Sequence, residues 1–367
     1  MFTFLAFFRF NTLRRLIWSS FLGMLIDLQA QTISPVLAPH ADQVEIALDR
    51  AFDFLISTQN PDGSFPGEYG KSAGVVALAG MSVLSAGHTP GGDRYGEFIN
   101  RCIDYVLQQQ NEDGYILTSN GRDKGLYSHN ISTLFLAEVS GMMDPEREPK
   151  VKRGLQEAIQ LIIQSQGIKK RPGHEGGWRY TPRSNDSDLS VSGWALMALK
   201  AARLNGAMVP EENIEAAVAY MLGNQLENGS FTYQKGNNNG RITLTGLSVL
   251  SLNLTGHHDS PEVQRALVYI MKNYRKIPKS ELACYALYYN TQSAFQMGGQ
   301  YWEDVGSWLY DYYLPLQQED GSWGKNAAGK SSSESKTPVY RTSMIVLSLT
   351  VPYRQLPIYQ RDETIDE

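Results

Sequence analysis

The chain has 367 residues, of which 42% are hydrophobic and 19% charged. That balance excludes a disordered polyelectrolyte and leaves enough apolar surface for a sizeable core. The net charge of −5 lacks the basic excess that nucleic-acid binding needs, and two cysteines without a Cys-x-x-Cys pair exclude a disulfide scaffold or a zinc ribbon.

The first segment reads as an address. Arg9, Arg14 and Arg15 flank the mostly apolar run Leu16–Ile26, and Leu28-Gln29-Ala30 ends on a small residue. This layout predicts a signal peptide over residues 1–30, and the run is short for a membrane span. The expectation is therefore export to the periplasm, cell envelope or extracellular space, with residues 31–41 as a linker. No second long apolar stretch follows, so the mature chain is expected to lack a transmembrane helix, with any membrane contact peripheral.

A repeat organises the remainder. Gln59-Asn-Pro-Asp62-Gly63-Ser-Phe65 recurs as Gln110-Asn-Glu-Asp113-Gly114-Tyr115, as Gln225-Leu-Glu-Asn228-Gly229-Ser-Phe231 and as Gln317-Gln-Glu-Asp320-Gly321-Ser-Trp323. A looser copy runs from Gln166 through an insertion to Gly176-Gly177-Trp178. Taken on Gly63, Gly114, Gly177, Gly229 and Gly321, the spacings are 51, 63, 52 and 92 residues. The last spacing implies a decayed copy near Tyr274–Lys279. Six units of about 52 residues fall in the range of stacked or closed helical arrays.

Upstream of each motif lies an amphipathic segment: Glu45–Thr58, Glu97–Gln110, Lys152–Gln166, Ile214–Asn224, Glu262–Tyr274 and Tyr301–Leu316. In the first, Ala47, Ala51, Phe54 and Leu55 repeat at helical spacing. The Asp/Asn-Gly pair is expected to stop each helix, because glycine takes positive φ without a Cβ penalty. Downstream come segments rich in small and apolar residues: Ser72–Ala86, Ser128–Ser140, Leu189–Leu204, Ile242–Leu254, Glu281–Phe295 and Tyr340–Leu349. Their scarcity of charge suits helices buried on most sides.

An open superhelix would need polar end caps, yet Met344–Thr350 in the sixth unit is as apolar as the first. Closing the ring removes the ends. The expected fold class is all-α, a single α/α toroid (α6/α6) over residues 42–352. Its small-residue helices would lie inside and its charged helices outside, with residues 353–367 as a polar tail.

The period and the Asp-Gly-Ser-Trp/Phe ends resemble the squalene cyclase and protein prenyltransferase β-subunit superfamily, over nearly the whole mature chain. In prenyltransferases that resemblance implies a catalytic zinc held by an Asp-x-Cys pair and a His. The matching stretch here is Glu281-Leu282-Ala283-Cys284-Tyr285, and Arg341 stands where the His belongs. Two of three ligands are missing, so prenyl transfer is rejected and no metal or other cofactor is expected. The diphosphate–magnesium, Walker-type and Gly-x-Gly-x-x-Gly motifs are missing as well.

Class II terpene cyclases are similar in another stretch. Asp186-Ser187-Asp188-Leu189-Ser190-Val191 matches the frame of their Asp-x-Asp-Asp motif, with Leu189 in place of the third acid. The resemblance implies Asp188 as general acid, kept protonated by burial and by a nearby carboxylate. Asp186, His174 and Glu175 would be its polar neighbours. Trp178, Tyr180, Trp194, Tyr285, Tyr289 and Tyr340 would line a cavity that binds an isoprenoid-like apolar molecule and stabilises cations. The same residues also read as helix caps and plain core.

Two further alternatives stand beside an acid-initiated cyclase. One is a non-catalytic exported toroid that binds a lipid, glycan or protein. The other is a polysaccharide lyase or hydrolase, kept open by Tyr127, Arg179, Arg241 and Arg341 at helix mouths. Arg171–Pro182 reads as a loop at the cavity rim. His129, in Tyr127-Ser-His129-Asn130, is a candidate contact. His257-His258-Asp259 reads as a solvated turn, and Lys325–Lys336 as a flexible surface loop.

Overall fold

The computed structural model describes residues 34–118 and 125–359; the expected signal peptide therefore lies outside the described residues. In chain order the helices are α1 (Ala41–Thr58), α2 (Ala73–Leu84), α3 (Arg94–Gln108), α4 (Leu126–Val139), α5 (Glu148–Gln166), α6 (Leu189–Leu204) and α7 (Glu211–Leu222). They continue as α8 (Ile242–Leu254), α9 (Pro261–Asn273), α10 (Ala283–Met297), α11 (Gly299–Tyr313), the short α12 (Ser332–Lys336) and α13 (Pro338–Leu349). Among the described residues there is no strand, only isolated bridges such as Gln225 to Phe231 and Gln317 to Trp323.

Composition sorts the helices into two layers. All twelve residues of α2, from Ala73 to Leu84, are buried, as are most residues of α4, α6, α8, α10 and α13. A helix apolar on every side must be surrounded. These six pack side by side in order, and α13 returns to α2, which closes an inner ring. Helices α1, α3, α5, α7, α9 and α11 bury one stripe each. Each outer helix from α3 onward packs on the inner helix before it, and α1 packs on α13. The architecture is the expected α/α toroid.

The repeated motif is the clasp between units. Gln317 Nε2 donates to the Gly321 carbonyl in its own turn (2.9 Å) and to the Ala47 carbonyl of α1 (2.8 Å). Gln110 spans Gly114 and Gly154 in the same way, Gln166 spans Gly176 and Asn213, and Gln225 spans Gly229 and Glu262. Asp62, Asn228 and Asp320 each accept from the backbone N–H and hydroxyl of the serine two residues on. These are Asx turns. We expect Gln317→Ala to cost about 1–3 kcal/mol in denaturant unfolding, since it strips the buried turn and α1 of one shared donor.

Three expectations are corrected. The outer helices end at or before the motif's glutamine, not at the glycine: Gln59 and Gln317 are already extended. The glycine instead serves the following turn, at φ +90° for Gly63 and +86° for Gly321. In the third unit that glycine is Gly176 rather than Gly177, because only Gly176 has positive φ. In the second unit Ile116 fills the buried place that Phe65, Trp178, Phe231 and Trp323 take elsewhere, and Tyr115 is half-buried. The decayed copy is a 3-10 helix, Tyr274–Lys279, bent around Pro278.

The described part of the polar tail is not one. Leu356, Ile358 and Tyr359 are buried, and the 3-10 turn Pro357–Tyr359 packs against α6. Gln296, at the end of α10, donates to the Tyr359 carbonyl, and the Tyr359 hydroxyl bonds that of Tyr288. This short apolar island seals the ring where the inner helices end. Beside it, Glu138 is fully buried, with the Ile358 N–H at 3.4 Å from Oε2 and no partner on Oε1.

Burial pushes Glu138 from an ordinary 4.5 up to about 8. The unfolded chain then releases this proton first, so Glu138 contributes stability below pH 4.5 that is lost as pH rises to about 8. Unfolding titrations at pH 5 and pH 8 should show a smaller difference in Glu138→Gln than in the parent; an equal difference would contradict the assignment. No helix among the described residues is long and apolar enough to cross a membrane.

Candidate functional site

The inner helices all point their N-termini to the same end of the ring, and a cavity of about 280 Å³ opens there. One tyrosine from each of the six units lines it: Tyr69, Tyr127, Tyr180, Tyr233, Tyr285 and Tyr340. Between the rings lie Val75, Leu78, Ile131 and Leu282, with Ser72, Ser128 and Ser190 at the helix starts. At the lip Arg241 Nη1 stands 3.6 Å from Glu281 Oε2. The same wall, through Tyr233, Arg241 and Tyr285, continues into an adjoining hollow of about 370 Å³. A larger hollow of about 1030 Å³ on the outer flank, beside α5, is open and lined by Gln156, Gln160, Arg153 and Arg183. It has no such convergence of units, so we place the site at the ring's mouth.

The insertion before α6 builds one side. Arg171 N–H bonds the Asn185 carbonyl, Ser187 N–H donates to His174 Nδ1, and Lys170 Nζ bonds the Ser184 carbonyl. These latches fold the loop back so that Arg179 faces the two aspartates. Its Nη1 lies 3.1 Å from Asp186 Oδ2 and its Nε 3.8 Å from Asp188 Oδ2. The guanidinium also stacks over the rings of Tyr180 (5.1 Å) and Tyr233 (5.6 Å), whose hydroxyls bond each other at 2.6 Å. Arg179 thus ties the acids to the cavity wall.

Asp188 is fully buried and caps α6. Its Oδ1 accepts from Val191 N–H (3.0 Å) and from the Ser190 hydroxyl (2.7 Å). Burial raises its pKa, while the bonds from Ser190 and Val191 and the charge of Arg179 pull it back. Asp188 itself does not line the cavity; Ser190, Tyr180 and Tyr233 do. We expect Asp188→Ala to lose about 1–2 kcal/mol of stability through the cap, and Asp188→Asn, which can still cap, to lose less. Thermal melts of the two variants check this; equal losses would contradict it.

The remaining site candidates divide. Tyr180, Arg241, Tyr285 and Tyr340 meet at the cavity, with Trp194 and Tyr289 beneath it. His174 latches the loop, and Glu175 is exposed, accepting from Gly173 N–H. Trp178 is core, its Nε1 donating to the Ile162 carbonyl. His129 is fully buried with both nitrogens engaged: Nδ1 accepts from Ile116 N–H and Nε2 donates to the Ala158 carbonyl. Ser192, Thr245 and Thr342 accept from the same backbone position of their own units, so His129 holds a turn. Burial lowers its pKa to about 4, which keeps it neutral.

The stretch compared with zinc ligands is filled by a carboxylate. Glu334 on α12 is buried and accepts from Tyr285 N–H (3.0 Å) and Gly329 N–H (2.7 Å). Arg341 bonds the Trp323 and Glu334 carbonyls, and Cys284 Sγ lies 3.3 Å from the Ala327 carbonyl. Lys325–Lys336 is therefore anchored over the N-terminus of α10 and is not a free surface loop. Among the described residues no group of three or more His, Cys, Asp or Glu could hold a metal ion.

Sequence reasoning missed Tyr69, Tyr233, Glu281 and Glu334. The tyrosines carried a signal, since they recur at nearly the repeat's own period.

Beneath the cavity, Tyr127, Trp194, Tyr285, Tyr288 and Tyr289 form one aromatic cluster with ring centroids 4.7–6.4 Å apart. Burial raises the pKa of all four tyrosines, so their hydroxyls stay protonated.

No protein-family profile and no curated sequence matches this chain. Solved structures do. The type II terpene cyclase MstE from Scytonema, in complex with geranylgeranyl dihydroxybenzoate, is similar over 87% of this chain and 100% of its own, at 15% identity and TM-score 0.53. The GH76A α-1,6-mannanase from Salegentibacter sp. HEL1_6 is similar over 85% and 99%, at 11% identity and TM-score 0.60. A protein from Actinoplanes is similar over 84% and 99%, at 16% and 0.53. These likenesses show the toroid fold, which serves unrelated chemistries.

Proposed function

We propose that the protein binds a short prenyl-like chain in the tyrosine-ringed cavity. The observation that carries this reading is the lining: six tyrosine rings with Val75, Leu78, Ile131 and Leu282 around the hollow, and Arg241 and Glu281 at its lip. Aromatic faces and aliphatic side chains favour an apolar guest, and few polar groups fix its orientation. At about 280 Å³ the cavity lies near the lower bound of small-molecule pockets, which suits a short chain better than a triterpene. The prenyl substrate of the cyclase MstE is in keeping with this reading.

A second reading is acid-initiated cyclisation with Asp188 as the acid. Its support is the upward shift that burial gives the carboxyl. Against it, Oδ1 is committed to the α6 cap and the residue does not line the cavity.

One experiment separates the readings. Protein is titrated by calorimetry with farnesol and with α-1,6-mannotetraose, then incubated with polyprenyl substrates and analysed by mass spectrometry. We expect farnesol to bind, the sugar not to, and Val75→Trp to weaken farnesol at least tenfold. Sugar binding without farnesol binding would refute the proposal. A cyclised product that vanishes in Asp188→Asn would put the second reading in its place.

A further inference from the structure

Three neighbouring connections form one arc of the mouth's rim: residues 167–188 before α6, 223–241 before α8 and 274–282 before α10. They are joined to one another. Gln234 Nε2 donates to the Ser187 carbonyl (3.0 Å), Leu189 N–H donates to the Tyr233 carbonyl (2.9 Å), and Arg241 pairs with Glu281 across the lip. The arc is basic, although the whole chain carries a net charge of −5. The first connection exposes Lys169, Arg171 and Arg183, and the third exposes Arg275, Lys276 and Lys279. Lys235 stands exposed between them. The exposed acids on the same arc are Glu175, Glu227 and Glu281.

The opposite end of the ring differs. There the connections 85–93, 140–147, 205–210 and 255–260 contain a single Lys or Arg, Arg147, which Asp104 and Asp144 hold. Charge is thus polarised along the ring's axis, with the basic end at the mouth. Inside the arc lies the cavity, with Tyr180 37% exposed at its edge. Basic side chains around an aromatic, apolar opening fit a flat anionic surface with an apolar interior. A long polyanion fits less well, because the next connection along the rim exposes Glu112 and Asp113.

We infer that this arc docks the protein on an anionic lipid surface, with the mouth towards the bilayer. Such a surface repels the acidic remainder of the chain, so attraction is confined to the arc and sets the orientation. The attraction acts within a Debye length, about 10 Å at 0.1 M salt, and weakens as salt rises. The docking rests on the rim's charge alone. Joined to the reading that the cavity takes a prenyl-like chain, it gives that chain a route from the bilayer that avoids water.

The test is cosedimentation of the full chain with vesicles of phosphatidylcholine, alone or mixed equally with phosphatidylglycerol. Two triple variants are compared with the parent. One is Lys169→Glu/Lys235→Glu/Lys279→Glu, a reversal on each connection of the arc. The other is Lys150→Glu/Lys152→Glu/Arg153→Glu, on the outer flank of α5. Both change the net charge equally and keep the parent's N-terminal segment. The parent should bind the mixed vesicles at least tenfold tighter than the neutral ones, and high salt should remove that preference. The rim variant should lose at least tenfold on the mixed vesicles, and the flank variant no more than about threefold. Equal losses in the two variants would assign the effect to net charge and overturn the inference. Equal binding of the parent to both vesicles would overturn it too. Short duplex DNA that binds as tightly as the mixed vesicles, and loses as much in the rim variant, would make the arc a polyanion site in place of a lipid one. Farnesol affinity should be unchanged in the rim variant, whose residues lie outside the cavity lining, so a failure of docking leaves the prenyl reading standing. Thermal melts of both variants check that they fold.

Discussion

Replacing Gly321 by alanine should strain the closure of the ring, with a stability loss of about 2–5 kcal/mol. Two costs add at this position. Its φ is +86°, a region L-residues enter at about 1–2 kcal/mol. A Cβ there would also stand 2.0 Å from the Arg50 carbonyl oxygen and 2.5 Å from its carbon. Backbone cannot yield as a flexible side chain does, so overpacking adds about 1–3 kcal/mol. The contact joins the sixth unit's turn to α1, beside the Arg50 bond to the Gln318 carbonyl (2.6 Å), so the strain falls on the closure itself. Gly256→Ala is the control. It has φ +82° but no atom within 4 Å of the added Cβ, so it should lose only the conformational cost. Denaturant unfolding of both variants checks this, and equal losses would mean that the close approach carries no weight.

The second large effect is expected at Glu334. Glu334→Ala leaves the buried N–H groups of Tyr285 and Gly329 unpaired, at about 1–3 kcal/mol each. It also releases the segment that α12 holds over α10, where Ser331, Leu282, Tyr285 and Tyr340 border the cavity. The variant should therefore lose about 2–6 kcal/mol of stability and at least tenfold in farnesol affinity. Glu334→Gln keeps one acceptor oxygen but turns an NH2 toward the other N–H, so it should recover no more than about half of the stability loss. A Glu334→Ala protein with parental stability and affinity would show that this carboxylate is not the anchor.

The fold was legible because its determinants are local and repeated. Gln317 and its counterparts need only a neighbouring carbonyl, Asp320 needs only Ser322, and α2 is apolar on every side. These parts can be recognised without knowing what they touch. The site was less legible, because the sequence does not say how far each inner helix is rotated about its axis. Trp178 and Trp194 read alike as aromatics near an acid, yet one is packed outward on Ile162 and the other lies under the mouth. His129 looked chemical because its type is chemical, although its place in the repeat is that of Ser192, Thr245 and Thr342. Lys325–Lys336 looked mobile from its Gly, Ser and Lys content, which hid one buried glutamate. The Leu356–Tyr359 island was masked by the polar residues after it.

The central claim is that a prenyl-like chain sits in the cavity at the ring's mouth. The most direct measurement is photocrosslinking with a benzophenone-bearing prenyl alcohol, followed by peptide mapping. The account predicts labels on α2 near Val75 and Leu78, on α4 near Tyr127 and Ile131, and on α10 near Tyr285, all competed by unlabelled farnesol. Labels confined to the outer helices, or none that farnesol displaces, would contradict it.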